Sequence, residues 1–244
     1  MQKIEQSPLI HILKWAIVIN IPIWLTLMGI RLVATETFLH LEYNRSNFPA
    51  DFFGFTEEER LTYAPFALQY MSNDQGIDFL GDLEFPDGSA MYNDRELHHM
   101  VDVKNVAIFA FGLQVVLTLF LVIGVGLLLC FMTTRKILRQ ALIYGSSLTL
   151  LIIFALLLVS ITSWEYFFEQ FHRMFFADGT WRFEYSDTLI RLFPEQFWFD
   201  AALAIGIFTA VGAASILIVA GLWEYKTKTA ATQEQSAATV SEIE

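Results

Sequence analysis

Four of the five histidines lie outside the long apolar blocks of this 244-residue chain: His40, His98, His99 and His172. An imidazole titrates near neutral pH, so it can take up and release a proton in general acid–base catalysis. Asp102 follows His99 by three residues and His98 by four, and in a helix such residues share a face. Its carboxylate could orient an imidazole, as the acid of a catalytic triad does. These residues are the first candidates for chemistry, although a single histidine more often only decorates a wet surface.

A second pattern indicates a metal centre instead. Glu96 precedes His99 by three residues, and Glu169 precedes His172 by three. Two Glu-x-x-His pairs on facing helices, with one more carboxylate from each of two other helices, build the di-metal sites of some helical bundles. Such sites lie inside a bundle core, whereas both pairs lie outside the apolar blocks, so this hypothesis is the alternative. The extra ligands would be Glu36 or Glu42 and Glu195 or Asp200.

Several other functions find no support in the sequence. It contains no G-x-S-x-G, H-E-x-x-H or C-x-x-C motif and no phosphate-binding glycine loop. The net charge of −11 argues against a nucleic-acid partner. The single cysteine, Cys130, is best explained as a packing residue. A membrane scaffold that binds a partner without catalysis remains a further alternative.

Four apolar blocks are each long enough to cross a bilayer. Hydrophobic residues make up 55% of the chain, and the mean hydropathy is +0.48. A helix of about 20 apolar residues crosses ~30 Å of hydrocarbon. The sequence therefore predicts an all-α integral membrane protein with four transmembrane helices and a membrane domain over residues 1–224. The spans are predicted at about 10–34, 106–132, 141–163 and 201–223, and only the first contains charged or helix-breaking residues: Lys14, Asn20, Pro22 and Arg31.

Basic residues predict the orientation of these spans. The short segment 133–140 carries Arg135, Lys136 and Arg139 without an acid, and such loops face the cytoplasm. Both termini then lie in the cytoplasm, and residues 225–244, rich in Ala, Thr, Ser and Gln, are predicted to be a disordered cytoplasmic tail. The segments 35–105 and 164–200 become extracytoplasmic, mostly helical and rich in aromatic residues.

Local signals predict helices within these two segments. Thr56 with Glu59, and Asn93 with Glu96, are helix N-cap patterns, and the second helix should continue into the second span. Pro65 should break or kink the helix that begins near Glu57.

The positions of two histidines along the spans indicate a shared depth. The third span should continue through His172, because no helix breaker occurs before residues 178–179. His99 then lies ~10 Å before the second span and His172 ~13 Å after the third. Both would sit near the ester groups of a lipid, where an imidazole suits acyl chemistry.

A set of stretches in these segments is distinctive in combination. They are Gly54-Phe55-Thr56-Glu57-Glu58-Glu59, Arg95-Glu96-Leu97-His98-His99-Met100-Val101-Asp102-Val103-Lys104, Phe171-His172-Arg173-Met174-Phe175-Phe176, Trp181-Arg182-Phe183, Asp187-Thr188-Leu189-Ile190 and Leu192-Phe193-Pro194-Glu195. In this order and between these spans, they resemble the bacterial lipoprotein intramolecular transacylase family of four-span membrane proteins. The resemblance extends from Phe53 to about Phe199.

The resemblance implies an activity and its site residues. The family moves the sn-2 acyl chain of a diacylglyceryl lipoprotein onto the α-amine of its N-terminal cysteine, giving a lyso-form lipoprotein. By motif, the catalytic residues are His99 and His172, and the adjacent His98 is an alternative to His99. Asp102 would support an imidazole, while Arg95, Tyr92 or a backbone amide would stabilise the oxyanion.

The same resemblance implies a location and a partner. No cofactor or metal is expected. The substrate would be a diacylated lipoprotein in the outer leaflet of the bacterial cytoplasmic membrane, and it would enter sideways between the spans.

Overall fold

The computed structural model describes residues 7–241, and within this range the chain forms nine helices and no strand. They are α1 (Pro8–Val33), α2 (Glu36–Tyr43), α3 (Glu57–Ser72), α4 (Asp78–Gly81), α5 (Asp94–Cys130), α6 (Arg135–Thr162), α7 (Trp164–Phe175), α8 (Thr188–Leu192) and α9 (Glu195–Ser241).

Four of these helices are long and apolar enough to cross a membrane: α1, α5, α6 and α9. The prediction of an all-α protein with four transmembrane helices is therefore confirmed. Each of the four helices begins before its apolar block, because polar residues at the end of a span can continue the backbone hydrogen bonding of the helix. Helix α5 begins at Asp94, twelve residues before the apolar block that starts at Val106.

The N-cap signals are confirmed, but one predicted break is wrong. The Thr56 hydroxyl accepts from the Glu59 amide while the Glu59 carboxylate accepts from the Thr56 amide, so α3 begins as predicted. Pro65 lies inside α3, which continues to Ser72. A proline removes only one backbone hydrogen bond, and its neighbours Ala64 and Ala67 are buried in the core, which holds the helix together across it.

The third span does not continue into the segment that carries His172. Helix α6 ends at Thr162, and Ser163 takes a non-helical conformation (φ −153°, ψ 71°) before α7 begins at Trp164. The prediction of one continuous helix is wrong. No proline or glycine marks the break, since it occurs at an ordinary serine.

The end of the chain also differs from its prediction. Residues 225–241 belong to α9, whereas the sequence predicts a disordered tail from residue 225. Alanine, lysine, glutamine and glutamate all have high helix propensity, so a polar composition without apolar periodicity is compatible with extension of an existing helix. Residues 242–244 of the predicted tail lie outside the described residues.

The chain divides into two compact units, the first made of residues up to Thr26, Val116–Phe154 and the stretch from Phe208 onward. Its core contains Ile17, Val18, Ile21 and Leu25 of α1, packed with residues of α5, α6 and α9. Two polar side chains of α1 donate hydrogen bonds to other helices in this unit. Lys14 donates to Gln140 at 2.9 Å, and Asn20 donates to the Leu117 carbonyl at 3.3 Å.

The second unit consists of Leu27–Val115 and Ala155–Ile207 and contains most of the aromatic residues of the two long connecting segments. Its core is built from α2, α3, α4, α8 and the first turns of α5 and α9. Arg31 of α1 donates to Gln114 of α5 at 2.9 Å. Gly206 of α9 lies against Leu157 of α6 so closely that a Cβ would stand 2.5 Å from Leu157 Cδ2. Small residues allow such close contact between membrane-spanning helices.

A buried group of charges joins α2 to α9 in this unit. Glu42 and Asp200 are 4% and 8% exposed, and Arg45 bonds both, at 2.6 Å to Glu42 and 2.8 Å to Asp200. Burial, together with the neighbouring Asp200 carboxylate, raises the pKa of Glu42 to about 7. One cation thus faces two carboxylates, so the fold favours a proton on Glu42.

The stability of the protein should depend on this proton. A carboxyl group whose pKa is raised in the folded state stabilises the fold fully below its unfolded pKa, here 4.5, and that stability is lost as pH rises toward 7. Thermal unfolding of detergent-solubilised protein should therefore show a higher Tm at pH ~5 than at pH ~8 from this group. Glu42→Gln keeps the neutral form at every pH, so the Tm difference between variant and wild type should grow with pH. A difference that stays constant would contradict the assignment.

Candidate active site

The start of α5 is fixed by a reciprocal cap. The Asn93 amide donates to Glu96 Oε2 at 2.8 Å, and the Glu96 amide donates to Asn93 Oδ1 at 3.1 Å. This is the geometry that the Asn93 and Glu96 spacing predicts. It sets the first turn of the helix that carries His98, His99 and Asp102.

Glu96 also connects this turn to a distant part of the chain. Its Oε1 accepts from the Leu189 amide at 2.7 Å, and its side chain is only 1% exposed. The Thr188 hydroxyl donates to the Met91 carbonyl beside it. The carboxylate therefore binds the start of α8 to the start of α5, and both of its oxygens have backbone donors.

His99 is buried among aromatic rings. It is 8% exposed, with the ring centroids of Phe176 and Phe183 at 5.0 and 5.3 Å from its own. Its Nδ1 has no hydrogen-bond partner among the described residues. The adjacent His98 is exposed. The structure thus distinguishes the two neighbouring histidines, and only His99 faces the aromatic residues.

His172 lies on α7 within the same group of rings. Its centroid is 4.0 Å from Phe168, 4.7 Å from Trp181 and 5.7 Å from Phe176. Its Nδ1 lies 2.8 Å from the Phe168 carbonyl, which requires a hydrogen on Nδ1 and leaves the lone pair of the neutral ring on Nε2. Burial lowers the pKa of His172, and the bond to Phe168 opposes this only in part.

The two histidines therefore share one environment. Phe176 contacts both imidazoles, which lie close enough to interact electrostatically. We call the surrounding rings, Phe168, Phe176, Trp181 and Phe183, the aromatic enclosure. The sequence predicts a shared depth for His99 and His172 from a continuous third helix, and that helix is broken at Ser163. The structure brings the two rings together around Phe176. The turn at Ser163 and the aromatic contacts position His172 instead.

The predicted supporting residues differ in their placement. Asp102 is half-buried and acts on His99 only through its charge, without a hydrogen bond to an imidazole in the described chain. Arg95 is half-exposed and bonds Asp187 at 3.0 Å. The Tyr92 hydroxyl is buried without a partner in the described residues, and its charged neighbour is Glu96. None of the three is shown in contact with a histidine ring.

The carboxylates of the proposed di-metal site are bound to protein groups instead. Both oxygens of Glu96 accept from backbone amides, while Glu169 pairs with Arg173 at 2.8 Å and Arg182 at 3.0 Å. Glu42 and Asp200 share Arg45, Glu36 accepts from Gln69, and among the described residues no group of three ligands could hold a metal ion. In the two Glu-x-x-His pairs, Glu96 caps a helix and Glu169 forms ion pairs, so neither carboxylate is placed as a metal ligand. The metal hypothesis is not supported.

Sequence reasoning missed the enclosure itself. The sequence shows that residues 35–105 and 164–200 are rich in aromatic side chains, but it does not show which rings surround the histidines. The short stretch Trp181-Arg182-Phe183, already part of the resemblance, places Trp181 on His172 and Phe183 on His99. Two imidazoles in such an enclosure can transfer protons while bulk water is held away from the reacting atoms.

Comparisons with known proteins give a matching family model, a relative and solved structures of similar fold. The family model described as lipoprotein intramolecular transacylase Lit matches residues 15–198. An uncharacterized protein of Aquifex aeolicus (strain VF5) is 35% identical over 180 residues, which cover 74% of this chain and 80% of the relative. The solved structure of the membrane integral lipoprotein intramolecular transacylase Lit from Bacillus cereus matches with a TM-score of 0.76 at 24% identity, over 93% of this chain and 100% of that one. A variant of that protein in which a histidine is replaced by alanine matches with a TM-score of 0.68 at 22% identity, over 94% of this chain and 100% of the other.

Removal of the Glu96 carboxylate should destabilise the protein. Glu96→Ala leaves the Asn93 and Leu189 amides without their acceptor, and a buried unpaired group costs about 1–3 kcal/mol. We expect a lower Tm in detergent and less folded protein. Asp94→Ala is the matched control, since Asp94 lies exposed on the same turn. An unchanged Tm in Glu96→Ala would show that the carboxylate does not hold α5 and α8 together.

Proposed function

Because the chain belongs to the lipoprotein intramolecular transacylase family and is therefore a membrane acyltransferase, we propose that it acts through His99 and His172. Its reaction moves the sn-2 acyl chain of a diacylglyceryl lipoprotein onto the α-amine of the N-terminal cysteine. The observation that carries this proposal is the placement of two imidazoles, His99 buried and His172 half-buried, in one aromatic enclosure, both against Phe176.

His172 is the base in this proposal. An ammonium group has no lone pair to attack an ester, so the nitrogen must lose a proton before or during attack. The bond from Nδ1–H to the Phe168 carbonyl leaves the lone pair of Nε2 available for that proton. Because burial lowers the pKa of His172, the ring is neutral and able to accept a proton at neutral pH.

The histidine pair returns a proton to the leaving group. When the nitrogen has attacked the carbonyl carbon, the bond from that carbon to the sn-2 oxygen breaks. This oxygen must leave as a hydroxyl rather than an alkoxide. From the ammonium form, the nitrogen loses two protons, one before or during attack and one afterwards, and the sn-2 oxygen gains one. The reaction therefore forms an amide and an alcohol and releases one proton overall. His99 belongs to this step, because its Nδ1 bonds no other group among the described residues and it shares Phe176 with His172.

The reaction needs no cofactor in this proposal, since the nucleophile and the ester belong to one molecule. Well-oriented intramolecular reactions reach effective molarities of ~10⁵ M or more. The protein must therefore fold the substrate so that nitrogen meets ester carbonyl. The aromatic enclosure supports this by offering apolar surface for the lipid and by limiting the competing attack of water.

The site belongs on the extracytoplasmic side, where the diacylated lipoprotein occupies the outer leaflet. The basic segment 133–140 supports this orientation, because such short loops face the cytoplasm. Both termini are then cytoplasmic. Helix α7 supports a position at the membrane surface, since it carries exposed Tyr166, Phe171, Met174 and Phe175 beside the half-buried His172.

Mass spectrometry of an N-terminal lipopeptide tests the proposal. The host should make only diacylglyceryl lipoproteins with a free amine, and it should express the wild type, His99→Ala, His172→Ala or His98→Ala. The wild type should convert the lipopeptide to the N-acyl, S-monoacylglyceryl form. His99→Ala and His172→Ala should lower the rate by about 10²–10⁴-fold, the usual contribution of general acid–base catalysis.

His98→Ala is the matched control, because His98 is adjacent to His99 but exposed. We expect it to retain most of the wild-type rate. Equal abundance and Tm of the variants are required, so that loss of product reports chemistry rather than folding. If His99 and His172 can each be replaced without effect, the proposal of histidine catalysis is wrong. A binding or scaffold role would then account for the site better.

A further inference from the structure

Trp181 is a buried indole pressed against a proposed catalytic residue. It is 8% exposed, and its ring lies 4.7 Å from the His172 ring at an interplanar angle of 32°. Its Nε1–H has no acceptor among the described residues. Because an indole nitrogen can only donate, and a buried donor without an acceptor costs free energy, such a group needs an explanation.

We propose that Trp181 donates a hydrogen bond to the oxyanion of the tetrahedral intermediate during acyl transfer. This inference rests on the proposed function. When the amine attacks the ester, the carbonyl oxygen gains negative charge, and a donor fixed beforehand in a water-poor site stabilises that charge. A donor that touches the base His172 lies where the reacting carbonyl must also lie.

The other candidate donors fit this role less well. Arg95 is half-exposed and already bonded to Asp187. The charged neighbour of the Tyr92 hydroxyl is Glu96 rather than a histidine. Trp164 also has a buried N–H without an acceptor in the described chain, but its ring contacts are Phe167, Phe168 and Phe199.

Neighbouring charges hold the Trp181 ring in place. The Arg182 guanidinium lies over this ring at 5.1 Å, and Arg182 pairs with Glu169 of α7 at 3.0 Å. Glu169 stands three residues before His172 on the same helix. The pair therefore connects the residue that covers the indole to the helix that carries the base. A preorganised donor needs no costly rearrangement during the reaction.

The experiment separates the N–H group from the shape of the ring. Full-length protein in detergent is prepared as wild type, as Trp181→Phe, and with β-(3-benzothienyl)alanine at position 181, where sulfur replaces N–H with little change in shape. Trp164→Phe is the matched control. The assay follows conversion of a synthetic diacylglyceryl lipopeptide over a range of concentrations, so that kcat and KM are obtained separately.

The expected result is a loss of kcat in both Trp181 variants with KM little changed. Loss of one oxyanion donor typically lowers kcat by roughly 10²–10³-fold. Trp164→Phe should retain kcat near the wild-type value. If the benzothienyl variant reacts at the wild-type rate, Trp181 acts through packing and the proposal is overturned. An equal loss in Trp164→Phe would also overturn it.

The same assay distinguishes this inference from the proposed function. A wild type that forms no N-acyl product overturns both. A wild type that depends on His99 and His172, together with an active benzothienyl variant, preserves the proposed function and removes only the role of Trp181.

Discussion

The site depends on the hydrogen bonds that the buried Glu96 carboxylate accepts from two backbone amides. The carboxylate accepts from the Asn93 amide of its own helix turn and from the Leu189 amide far along the chain. A carboxylate is stable when so buried only if its oxygens have donors. The same two bonds therefore satisfy the charge, start α5 and fix α8 beside it. Through this connection, the loop that presents Trp181 and Phe183 is held near the turn that presents His99.

The aromatic enclosure follows from this arrangement and gives the histidines their properties. Rings surround both imidazoles and leave few polar partners, apart from the Phe168 carbonyl that bonds His172. A protonated ring is disfavoured in such surroundings, so the enclosure favours neutral imidazoles. The same surroundings suit an acyl chain and an ester, which are themselves apolar or weakly polar. In the proposed function, this exclusion of water would serve substrate binding, keep the two imidazoles neutral and protect the ester.

The membrane-spanning helices contain few charged residues, and those of α1 bond polar side chains of other helices. The two basic side chains of α1 each donate a hydrogen bond to a glutamine of another helix. Lys14 bonds Gln140 in the first compact unit, and Arg31 bonds Gln114 in the second. Each pair joins α1 to another helix in surroundings where an unpaired polar group would be expensive. Small residues complete the packing, as where Gly206 admits Leu157. These contacts hold α1 against neighbouring helices and α9 against α6.

The sequence by itself determined the number of spans, the N-caps of α3 and α5, the family and the two histidines of interest. Each of these depends on local periodicity, on short-range capping or on a linear motif, and such signals are present in the chain without its fold. The break at Ser163 and the choice of His99 over His98 were decided only by tertiary structure. His98 and His99 carry the same side chain, so the sequence alone does not distinguish them. Packing leaves His98 exposed and places His99 between Phe176 and Phe183. The roles of Glu96 and Trp181 likewise required contacts between residues distant in sequence, because a carboxylate or an indole acquires its function from the donors and acceptors that folding brings to it.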